Sequence, residues 1–66
     1  MIEALSTRTA DIFVDCLSDS GPEAIAKKAV RAFRANPCDE LAKTALSYVN
    51  GLPGNKVTEL KQAAGL

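Results

Sequence analysis

The 66-residue chain contains no histidine and no tryptophan, and its only aromatics are Phe13, Phe33 and Tyr48. Without histidine it lacks the side chain that most often moves protons near neutral pH, and no Cys-His or Ser-His arrangement can be built. Cys16 and Cys38 alone cannot supply the four nitrogen or sulfur ligands of a structural zinc site. Both phenylalanines fall on apolar faces, which leaves no stacking platform for single-stranded nucleic acid. Charge of one sign is missing too: eight basic residues balance eight acidic ones, and the sequence pI is 6.1. A dedicated nucleic-acid domain ordinarily has a clearly basic balance.

Long apolar runs are also missing. None approaches the ~18 residues needed to cross a bilayer, so no membrane segment is expected. No basic N-terminal stretch followed by an apolar run marks the chain for export, which points to the cytoplasm and to thiols without a disulfide. A chain this short holds at most one small domain, here residues 1–66, and cannot surround a substrate by itself. No enzyme activity, cofactor or metal is expected. For so short a chain the gain from burial and the cost of ordering nearly cancel, which favours a partner.

What is present is helical periodicity, with 47% of residues hydrophobic. Ile2, Leu5, Thr9, Ile12 and Cys16 recur at alternating spacings of three and four, with Phe13 and Leu17 beside them, and predict a first helix over 2–17. Ile12-Phe13-Val14 could open a strand, but Asp11, Asp15 and Asp19 repeat at four and place the acids on one helical line. Ser6 or Thr7 is a possible later start, since both are good N-caps.

Ser20-Gly21-Pro22-Glu23 has the form of a capping box and starts a second helix. Ile25, Ala26, Ala29, Val30 and Phe33 form its apolar face, and Asn36-Pro37 ends it and opens the next. Cys38, Leu41, Ala42, Ala45, Leu46 and Val49 define a third helix, stopped by a left-handed Gly51 with Leu52 as its Schellman contact. The Gly-Leu pair recurs at Gly65-Leu66. Asn55 caps a short fourth helix with Val57, Leu60 and Ala64 inward. The fold class is all-α: a small bundle of three principal helices plus a short C-terminal fourth, associating as an oligomer.

Three short stretches look like known motifs and fail on context. Gly51 to Thr58 lacks the glycine before lysine and the preceding strand of a phosphate loop. Asp19-Ser20-Gly21 is similar to the attachment site of acyl carrier proteins, which are strongly acidic where this chain is neutral. Residues 23–37 resemble the second helix of a tetratricopeptide repeat, but Lys43, Ser47 and Asn50 stand where the next repeat needs tryptophan, glycine and tyrosine.

The distinctive feature is polarity. Lys27, Arg31 and Arg34 lie at i, i+4 and i+7 with Lys28 beside them, while Glu3, Asp11, Asp15 and Asp19 dominate the first twenty residues. These charges can pair neighbouring helices, orient a complex, or follow nucleic-acid phosphates. The first helix carries the candidate interface Ile2, Leu5, Ile12, Phe13 and Leu17, a stripe wider than one small helix covers. The frame from Met1 to a capped Gly65-Leu66 suits a stand-alone product. The expected function is a non-enzymatic protein–protein interaction module: a small adaptor, regulator or stoichiometric inhibitor, homodimeric and binding a protein partner. The alternative is a nucleic-acid-associated regulator using Lys27, Lys28, Arg31 and Arg34.

Overall fold

The computed structural model describes residues 2–66, and Ser6 is where regular structure begins. Its hydroxyl oxygen accepts the Thr9 amide at 3.1 Å, which satisfies one orphan donor of the first turn, and its carbonyl accepts Ala10 N–H at 2.8 Å as the first bond of the helix. The helices are α1 (Thr7–Cys16), α2 (Gly21–Ala35), α3 (Asp39–Asn50) and α4 (Gly54–Ala63). No strand occurs among the described residues.

α2 packs against α1 on one side and α3 on the other, and α4 packs on α1. Phe13, Val30, Val49 and Leu60, one large side chain from each helix, are wholly buried at the centre. Ala10, Ala26 and Ala45 are buried with them. Such small residues at helix contacts let the axes approach closely. The accessible surface of 4120 Å² matches the roughly 4,000 Å² of a folded monomer of this mass, so the chain covers its own core. No helix among the described residues is long and apolar enough to cross a membrane.

Several local expectations are corrected. Residues 2–5 are not helical, because Ser6 caps the chain there, and the apolar side chains of Ile2 and Leu5 pack on the core from a segment without regular structure. The capping box at Ser20 does not close: Glu23 accepts the amide of Ser18 at 3.2 Å, and the Ser20 side chain makes no cap bond. Gly21 takes φ +67° immediately before Pro22 and turns the chain into α2 in place of that box.

Pro37 stays outside α3, whose N-cap is Cys38, an exposed thiol rather than a member of the apolar face. Gly51 is right-handed, with φ −80°, and its amide reaches the Ser47 and Tyr48 carbonyls at 3.2 Å. Leu52 is drawn into the core all the same. The Schellman pattern forms at the second Gly-Leu pair alone: Gly65 has φ +75°, with Gly65 N–H on Gln62 and Leu66 N–H on Lys61. α4 starts one residue before Asn55, with Pro53 as N-cap and its carbonyl accepting Lys56 and Val57.

Candidate functional site

The outward face of α2 carries two side chains whose burial the periodicity left open. Ala26, Val30 and Phe33 turn into the core, and this rotation leaves Ile25 56% exposed, against its expected place on the apolar face. Across from it on α3, Tyr48 is 48% exposed. Together with Lys28, Ala29, Ala32 and Thr44 they line a shallow cleft of about 410 Å³ between α2 and α3. The two alanines keep the cleft from being filled by its own helix. The Thr44 hydroxyl donates to the Glu40 carbonyl of its own helix at 3.1 Å, so the lining's one ionic group is Lys28.

Lys28 and Ala32 also border a second cleft, of about 550 Å³, whose other walls are Asp19, Ala24, Lys27 and Arg31. The exposed edge of α2 is therefore a ridge with an apolar cleft on one flank and a charged one on the other.

The basic stripe divides along this ridge. Arg34 Nε lies 2.6 Å from Asp11 Oδ1, and Lys27 Nζ lies 2.8 Å from Asp19 Oδ1, so Arg34 joins α2 to α1, whereas Lys27 joins it to the connecting loop, where Asp19 lies beyond the end of α1 and off the helical line expected for it. The hydrogen bond from Lys27, its charge and a smaller pull from Arg31 hold the Asp19 carboxyl below its ordinary value. Lys28 and Arg31 form no ion pair among the described residues.

A second charged group ties the helix ends together. Lys56 donates to the Cys16 carbonyl at 2.9 Å and lies 3.2 Å from Glu23 and 3.4 Å from Glu59. The Ser18 amide first, and Lys56 after it, lower the Glu23 carboxyl. Desolvation pulls the Lys56 ammonium down, but hydrogen bonds and charge from Glu23 and Glu59 outweigh it and leave the pKa raised.

Of the interface residues expected on the first helix, Ile2, Phe13 and Leu17 are buried in the chain's own core, and Leu5 and Ile12 are half-buried against it. Ile25 and Tyr48 were assigned no such role from sequence. The available signals were that Tyr48 falls off the Ala45-Val49 seam and that Ile25 and Ala26, being adjacent, cannot both point straight inward. Among the described residues no three acidic or thiol side chains come together to hold a metal ion.

Compared with protein-family models, with curated proteins and with solved structures, the chain matches none of them.

Proposed function

We propose that this chain is a small non-enzymatic protein-interaction module, an adaptor, regulator or stoichiometric inhibitor that works in the cytoplasm and self-associates as a homodimer. The observation that carries the reading is the α2–α3 cleft, where Ile25 and Tyr48 stand exposed on either side of Ala29 and Ala32 with one cation at the rim. An aromatic and an aliphatic side chain flanking a cleft form the kind of anchor on which protein interfaces concentrate their binding energy. Lys28 and Arg31 add a charge that orients an incoming acidic surface. The pairing of Lys27 with Asp19 and of Arg34 with Asp11 weighs against the nucleic-acid alternative, because each phosphate contact needs a free cation and only two remain on the stripe.

The test is photo-crosslinking in host cells from p-benzoylphenylalanine placed at position 48. The expected product is a protein adduct of defined mass that disappears when Ile25→Asp is added. Only nuclease-sensitive adducts, or none, would refute the reading.

A further inference from the structure

The α2–α3 cleft offers an occupant apolar surface and charge of one sign, but no backbone partner. Ile25, Lys28, Ala29 and Ala32 lie inside α2, and Thr44 and Tyr48 inside α3, where main-chain donors and acceptors are spent on the helices themselves. The Thr44 hydroxyl is turned to the Glu40 carbonyl. An extended peptide would leave the N–H and carbonyl groups on its cleft side unpaired, whereas a helix arrives with its backbone already bonded. The length agrees: Ile25 to Ala32 spans about 10 Å, or two helical turns. Ala29 and Ala32, being small, let a third helix axis come close.

The charge along this cleft is unmet within the chain. Lys28 and Arg31, one turn apart on α2, are both exposed and form no ion pair among the described residues. The apolar cleft has no acid in its lining, and the charged cleft on the other flank has only Asp19, which Lys27 holds at 2.8 Å. A second copy does not supply what is missing. A two-fold contact through this cleft would set Lys28 and Arg31 of both copies against each other. The α1 of another copy is no better suited, because its Asp11 is held by Arg34 and its apolar side chains pack on its own core.

We propose that the occupant of the α2–α3 cleft is an amphipathic helix of a different protein. Two of its aliphatic side chains, three or four positions apart, sit between Ile25 and Tyr48 over the two alanines, and aspartate or glutamate on its flank meets Lys28 and Arg31. The inference rests on the reading of this cleft as the binding surface, and adds the occupant's backbone form and its charge. The homodimer then joins through another face.

The probe is a phage-displayed library of random peptides about 16 residues long, enough to form a helix. It is selected on the full-length chain and counter-selected on the Ile25→Asp, Tyr48→Ser variant, or on Tyr48→Ser alone should urea unfolding show that the pair destabilises the fold. Enriched peptides are expected to carry the spaced aliphatic pair with acids beside it, and to gain helical circular dichroism on binding. Lys28→Glu with Arg31→Glu should weaken them about tenfold, and exchanging their acids for lysine should restore the affinity.

Peptides that need Ile25 and Tyr48 but bind in extended form, or are indifferent to the charge reversal, would overturn the acidic helix and leave the cleft as the binding surface. Peptides that hold equally well to the counter-selected variant, or no enrichment at all, would overturn both. A duplex oligonucleotide that binds in place of any peptide, and is lost on charge reversal, would assign the ridge to nucleic acid.

Discussion

The ammonium of Lys56 sits 2.9 Å from the carbonyl of Cys16, forty positions earlier, at the C-terminal end of α1. A cation there meets the negative end of the helix dipole, and through Glu23 the same group reaches the first turn of α2. One side chain therefore fixes how α4 sits on the α1–α2 corner. Lys56→Met is expected to lower the unfolding midpoint by a few degrees, with Lys56→Arg recovering part of the loss, as thermal melts followed by circular dichroism would show. Glu23 sits below its ordinary value of 4.5, so the unfolded chain binds that proton first. Its contribution is complete at neutral pH, starts to fade as the pH falls toward 4.5, and is gone below the lowered folded value. Lys56 has the opposite sign: its contribution holds below the ordinary 10.5 and is lost as the pH rises through the raised folded value. Glu23→Gln should flatten the acid side of a plot of stability against pH; an unchanged acid limb would contradict this assignment.

Gly21 and Gly54 give a paired test of backbone conformation. A Cβ added at either meets nothing within 4 Å, but Gly21 alone has φ +67°. Gly21→Ala should therefore cost about 1 kcal/mol, the penalty of a left-handed L-residue, and lower the midpoint by ~4–8 °C. Gly54→Ala should be neutral or stabilising by up to about 1 kcal/mol, because it narrows the unfolded ensemble without straining the fold. Denaturant titration of the two variants separates the cases, and equal effects would mean that Gly21 does not hold the turn.

The helical architecture was legible because burial repeats with the helical period: Ala45 and Val49 fell where i, i+4 spacing put them, and Val30 and Leu60 were each placed on an inward face, whereas Phe13, read as an interface residue, is buried in the chain's own core. Ser6 was a visible N-cap because its chemistry is local, involving only Thr9 and Ala10. What misled was periodicity continuing where the helix does not. Ile2 is apolar because Asn50, 48 residues away, seats it, and no local pattern distinguishes that from one more turn of α1. Ile25 and Ala26 differ by only about 100° around α2, so which of them turns inward depends on how closely α2 approaches its neighbours. The polarity of the first two helices was read correctly as charge separation, but only the antiparallel placement of α1 and α2 decides which cations it consumes.

Those cations can be sorted by stability. Arg34 and Asp11 are each about half exposed, 53% for both side chains, so a double-mutant cycle should give a coupling of about 0.2–1 kcal/mol that shrinks as salt is raised. Lys28→Met should leave stability within about 0.5 kcal/mol of the parent, because no acidic partner is lost. A coupling that salt does not weaken, or a large cost at Lys28, would mean that the stripe is structural throughout.

The α2–α3 cleft makes the sharpest division between folding and binding. Because Ile25 and Tyr48 are about half exposed, truncating them removes little core packing, and Ile25→Ser and Tyr48→Ser should each change stability by no more than about 1 kcal/mol. An anchor in a protein interface behaves differently, since its truncation costs about 2 kcal/mol or more of binding energy, close to a thirtyfold loss of affinity. The informative experiment measures both quantities on the same variants: unfolding by urea, and affinity for the protein captured by the position-48 crosslinker. Leu60→Ala supplies the contrast, because a wholly buried leucine should cost about 2–5 kcal/mol of stability. If Ile25→Ser and Tyr48→Ser unfold with the parent and fail to bind, the cleft is the working surface. If they bind with the parent's affinity, the partner docks elsewhere and the exposed pair is incidental to it.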